Sequence, residues 1–145
     1  LDAICDATGE PENFSGNPQG VRAMQVPDPT TESHFLTTFG RATRQDVCSC
    51  AVKMEPSLSQ ALHLLNGDVG NERIRQGNVV GRMLDAGLEP PAVLEDLFIR
   101  CDCRLPTEEE RAELLATIEA ATDKKQALED IFWALLNSAE FIFNH

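Results

Sequence analysis

A chain of 145 residues with 42% hydrophobic side chains is long enough, and apolar enough, to bury one domain core. Its 24 acidic side chains outnumber 12 basic ones, a formal charge of -12, so its average field repels phosphate backbones and anionic headgroups and argues against a nucleic-acid partner. No apolar run approaches the ~20 residues that a membrane span requires, so membrane insertion is not expected either.

In chain order, LDAICDATG reads as the last two turns of a helix stopped at Gly9, with no start signal before Leu1. The chain is therefore expected to begin inside a helix and to be a fragment or processed end of something larger. Residues 10–29 hold four prolines and two glycines with little apolar periodicity, the pattern of a surface loop lying on a scaffold. Residues 21–26 offer its one candidate strand, and residues 34–39 suit a short strand or a helical turn equally.

Ser57 and Gln60 have capping-box spacing. Leu58, Ala61, Leu62 and Leu65 then fall at i, i+3, i+4 and i+7, and Gly67 supplies a stop. Beyond it, a short helix is expected over residues 72–76 and a longer one over 79–86, ending at Gly87. Pro90 and Pro91 suit a first helical turn, followed by the stripe Leu94, Leu97, Phe98 and Cys101. Thr107 and Glu110 repeat the capping box for a helix ending near Ala121. Asp123 caps a last helix on which Leu128, Ile131, Phe132, Leu135 and Ala139 share a side. Trp133 lies about 140° around that helix from the stripe, so burying it requires packing on a second side. The expected fold class is mainly α: a helical bundle of paired helices, with a loop-rich amino-terminal third (residues 1–55) draped on the helical part (56–145) and at most one short hairpin.

Candidate chemistry centres on thiols. Cys48 and Cys50, one residue apart in a polar loop, have the residue type for soft-metal binding or disulfide exchange, but structural zinc sites place two to four residues between paired cysteines. No metal is expected, and the pair is read as holding the loop-rich third to the helices by a disulfide or by packing. The five cysteines are an odd number, so at least one is free or pairs outside the chain. Cys5, near a helix end, and Cys103, off its helix's apolar stripe, are the candidate partners of the Cys48–Cys50 loop. No C-x-x-C-H occurs, so c-type haem attachment within the segment is excluded and no cofactor is expected in it. Asp28 and Arg41 are candidate functional polar groups in loops; turn chemistry and carboxylate pairing explain the same residues. No nucleophile, base and orienting group can be assembled from these residues, so no catalytic residue is assigned.

Four runs carry a family resemblance: FLTTFGR ending at Arg41, the Cys48-Ser49-Cys50 pair, SLSQALHLLNGD beginning at Ser57, and WALLNSAEFIFNH beginning at Trp133. Together they resemble the carboxyl-terminal portion of a planctomycete-specific domain of unknown function, the one numbered fifteen fifty-three. The Cys101-Asp102-Cys103 pair departs from that pattern, which more often has small residues there. The resemblance implies a segment of a large exported, extracytoplasmic protein, lying downstream of a cytochrome-c-like module and another uncharacterised domain. Its partners would be the upstream domains of the same parent protein. It implies a structural or interaction role, with a contribution to a hydrolytic or redox enzyme of extracytoplasmic polymer breakdown as the alternative.

Overall fold

The computed structural model describes residues 1–27, 31–39, 41 and 68–143. Asp28, Cys48, Cys50, and the Ser57 capping box with its helix all lie outside the described residues. The protein is mainly helical, and no strand occurs among the described residues. Nor is any helix among them long and apolar enough to cross a membrane.

The first helix, α1 (Asp2–Thr8), stops where Gly9 takes the left-handed conformation (φ 69°), as its sequence predicts. The candidate strand at residues 21–26 is instead a 3-10 turn, Ala23–Gln25. The backbone N–H groups of Ala23 and Met24 donate to the carboxylate of Asp2 at 2.8 and 3.4 Å, so α1 supplies the acceptors that a partner strand would have supplied. Residues 34–39 resolve to a short helix, α2 (His34–Thr38), capped by Ser33, whose Oγ accepts from the Leu36 N–H.

The expected short helix at 72–76 is longer, α3 (Asp68–Gly77), and contains two glycines that each lower helix propensity by about 1 kcal/mol relative to alanine. Packing offsets that: Gly70 lies against the Trp133 indole and Gly77 against the backbone of Thr8. Asn78, at φ 44°, separates α3 from α4 (Val79–Asp85). Next comes α5 (Pro90–Asp102), with proline in its first turn and Cys103 at φ 54° as its left-handed cap. In α6 (Glu108–Ala120) the capping box is complete: Thr107 Oγ1 accepts from the Glu110 N–H at 3.2 Å, and Glu110 Oε2 accepts from the Thr107 N–H at 2.7 Å. Asp123 caps α7 (Lys124–Leu136), its Oδ1 accepting from the Gln126 N–H.

Ala139 does not share the α7 stripe. The helix ends at Leu136, Asn137 caps it, and Ser138 Oγ accepts from the Phe141 N–H to open a separate short helix, α8 (Ala139–Phe143), on which Ala139 is exposed. The Asn137 side chain donates to the Trp133 carbonyl, a local bond that competes with continuing the helix.

The bundle is organised around α7, which packs on α3, α4, α5, α6 and α8. Phe132, Leu128, Leu94 and Leu97 are fully buried at its centre, with Val80, Val93 and Ile118 beside them. Burial of each such side chain contributes about 1.5–3 kcal/mol, so these positions dominate the bundle's stability. Trp133 is half-buried against this core and meets α3 at Gly70, so α7 does pack on a second side. One turn along α3, Arg73 donates to the Glu10 carbonyl at 3.0 Å and pairs with Glu12, holding the segment after α1 onto the helix.

Candidate functional site

The thiols with described positions stand in separate surroundings. Cys5, Cys101 and Cys103 are free. Cys5, half-buried on α1, accepts from Arg73 Nη1 at 3.5 Å and lines a cavity of about 260 Å³ with Asp2, Asp6, Glu12 and Arg22. Burial outweighs the neighbouring guanidinium and raises its pKa, so it rests as the thiol. Burial likewise pushes Cys101 up to about 12, consistent with its place on the apolar stripe. Cys103 is exposed at the turn after α5, its backbone N–H closing the helix on the Ile99 carbonyl. Arg41 has a bracing role at α2: its guanidinium donates to the Thr31 carbonyl at 3.2 Å and its N–H to the Leu36 carbonyl at 2.9 Å.

The most developed constellation was not singled out from the sequence. It forms where α5 ends, α6 begins and α8 returns. The left-handed turn at Cys103 reverses the chain and delivers Arg104 between the carboxylates of Glu110, on the first turn of α6, and Glu140, on α8. Nε and Nη2 donate to the two oxygens of Glu140 at 2.8 and 2.9 Å. Nη1 and Nη2 donate to the two oxygens of Glu110 at 2.9 Å each, and Nη1 also donates to the Leu105 carbonyl at 3.1 Å. A guanidinium has five N–H donors in a fixed fork, and these five bonds use them all. The Phe98 ring lies 5.2 Å beneath its central carbon, an additional cation–π contact.

This knot borders a cleft of about 340 Å³ with apolar walls from Phe98, Leu114, Ile131 and Leu135. Asp102, on the last turn of α5, stands at its edge. Its Oδ1 is sealed from solvent and has no hydrogen-bond partner among the described residues. Hydrogen bonding to Arg104 holds Glu110 down at about 2 and also lowers Glu140, while both carboxylates raise the Arg104 pKa further. Asp102 shifts the other way, because burial, reinforced by the charge of Glu140, favours its neutral form. One end of the bundle thus holds two carboxylates whose proton affinity is lowered and a third whose proton affinity is raised.

Chemically, Glu110 and Glu140 are committed as ion-pair partners, and Asp102 is the carboxyl of the cleft whose proton affinity is raised. Among the described residues, no group of three or more His, Cys, Asp and Glu side chains is arranged to hold a metal ion. The capping-box spacing in the sequence marks Glu110, but nothing local links Arg104 to Glu140, 36 positions away. Comparison with known proteins finds no matching family model, no matching curated protein and no matching solved structure.

Proposed function

We propose that this chain is a structural, interaction-bearing segment of a larger exported protein, positioning the upstream domains of that protein. The observation that supports this reading most is the commitment of the Arg104 knot. Its charges fasten three helices to one another, in a geometry that leaves the guanidinium no donor for a ligand. Beside the knot's residues in the chain, Leu105 and Ile142 are exposed, apolar side chains suited to a neighbouring domain. The extracytoplasmic setting and the cytochrome-c-like neighbour rest on the four resembling sequence runs.

A second reading, contribution to a hydrolytic site completed by upstream domains, draws on Asp102: a carboxyl group with raised proton affinity at the edge of a cleft is the residue type that general acids use. Two variants of the full-length parent protein separate the readings. Deleting this segment is expected to expose the upstream domains to limited proteolysis, and unchanged cleavage overturns the positioning role. Asp102→Asn is expected to leave polymer hydrolysis by the parent unchanged; loss of turnover with an unaltered circular dichroism spectrum favours the catalytic reading instead.

A further inference from the structure

The arrangement of Asp102 around a saturated Arg104 has a consequence for α8. This helix is only five residues long, and its hold on the bundle includes the Glu140 pair with Arg104, the packing of Phe141 on the core, and contacts with α5 and α7. We propose that Asp102 and Arg104 form a pH-operated latch on α8: with Asp102 neutral, Arg104 clasps Glu140 and α8 is held; with Asp102 ionised, the clasp loosens and α8 is released more often.

The supply of donors decides which contact gives way. An ionised Asp102 needs donors for a carboxylate whose Oδ1 is sealed and unpartnered, at the negative end of the α5 dipole. The charged and titratable groups around it are Arg104 from the turn, Glu110 and Glu113 from α6, and Glu140 from α8. The α7 residues on the cleft, Ile131, Ala134 and Leu135, are uncharged. On its own helix Arg100 pairs with Asp96, and Cys101 is a buried thiol. Arg104 is therefore the only described cation lining the cleft, and it has no spare N–H. To serve Asp102 it must release the Leu105 carbonyl, Glu110 or Glu140. Giving up the neutral carbonyl frees one N–H but leaves the ionised Asp102 beside the like charge of Glu140, so a carboxylate contact is the one that yields. Glu110 is also held by the Thr107 N–H at 2.7 Å within the capping box, whereas the Glu140 carboxylate is held, among the described residues, by Arg104 alone. Glu140 is thus the partner given up, and α8 leaves with it.

The sign follows from the burial of Asp102, which lifts its pKa in the folded state above the ordinary 3.8. The latched state binds the Asp102 proton more tightly than the released one, so latching weakens as pH rises through the folded-state pKa of Asp102, while at the acid limit protonation of Glu140, held low by Arg104, opens the same clasp. A tenfold difference in proton affinity between the two states produces about a tenfold change in the latching equilibrium.

The test is hydrogen exchange of the Phe141 and Ile142 amides, followed by NMR from about pH 4 to about pH 8 and corrected for intrinsic exchange. Protection is expected to fall severalfold with rising pH in the wild type, to stay high throughout in Asp102→Asn, and to be low throughout in Glu140→Gln. A pH-independent wild type, an Asp102→Asn profile that follows the wild type, or wild-type protection in Glu140→Gln each overturns the latch. Core amides such as Leu97 and Phe132 serve as the internal reference for global opening, and their protection is expected to be unaffected by either substitution.

Discussion

A Cβ added to Gly77 would lie 2.0 Å from the carbonyl oxygen of Thr8. The α3 backbone therefore touches the end of α1 directly, at the point where Thr8 is fully buried and its hydroxyl donates to the Ile4 carbonyl at 2.7 Å. Gly77 is required here for space. Because the obstacle is backbone, it cannot swing aside as a flexible side chain would.

Gly77→Ala is accordingly expected to push α1 off α3 and to destabilise the protein by about 1–3 kcal/mol, the usual penalty of overpacking. Chemical denaturation reads the total. Amide exchange reads the location: protection of Thr8 is expected to fall while that of Leu97 and Phe132 persists. An unchanged denaturation midpoint would mean that α1 does not dock on α3 in this way.

Acid should weaken the Arg104 knot. Glu110 titrates at about 2 in the folded protein against an ordinary 4.5, so its contribution is complete above the ordinary value and is lost as pH falls toward about 2. Unfolding midpoints are expected to drop across that window. Arg104→Met, which removes the first cause of the shift, is expected to flatten this part of the profile, and equally steep profiles for the two proteins would contradict it. Thr107→Ala removes the side-chain half of the same capping box and should lower stability by about 1 kcal/mol at neutral pH.

Trp133 should fluoresce as a half-buried indole, at a wavelength shorter than that of exposed tryptophan. Its Nε1 is sealed from solvent and lacks an acceptor among the described residues, so the N–H contributes nothing to offset its own desolvation. Trp133→Phe keeps an aromatic ring and deletes that N–H. It is expected to change stability by less than about 1.5 kcal/mol, measured by urea denaturation. A loss well beyond that would reveal an acceptor for the indole in the folded protein.

Native-state alkylation should rank the described thiols. Cys103, exposed, is expected to react first, Cys5 more slowly, and Cys101, buried and pushed up to about 12, only on unfolding. Mass spectrometry after timed quenching gives the order directly, and early modification of Cys101 would contradict its burial. The same samples, analysed for zinc, copper and iron before and after replacing Cys48 and Cys50 with serine, test whether that pair serves structure or metal.

What the amino-acid order determines by itself is most of the described helices, though not α2 or the separate α8, and many of their ends. Thr107 with Glu110, Asp123, the paired prolines at the start of α5 and Gly9 each act through bonds or dihedral preferences within a few residues, so their effect is legible locally. The stripe Leu94, Leu97, Phe98 and Cys101 is buried because helical spacing alone puts those side chains on one face. Other features depend on partners distant in sequence. Residues 21–26 have the composition of a strand, yet Ala23–Gln25 form a 3-10 turn, with Asp2 accepting the N–H groups of Ala23 and Met24. Gly77, which ordinarily would weaken a helix, ends α3 because the Thr8 backbone leaves no room for a side chain there. The candidate site belongs to this second class. Arg104 is an ordinary basic residue in CDCRLPTEEE until the reversal at Cys103 and the break at Asn137 bring Glu110 and Glu140 to its two sides. Asp102 Oδ1 is then left without a donor among the described residues, because one guanidinium has only five N–H groups to give.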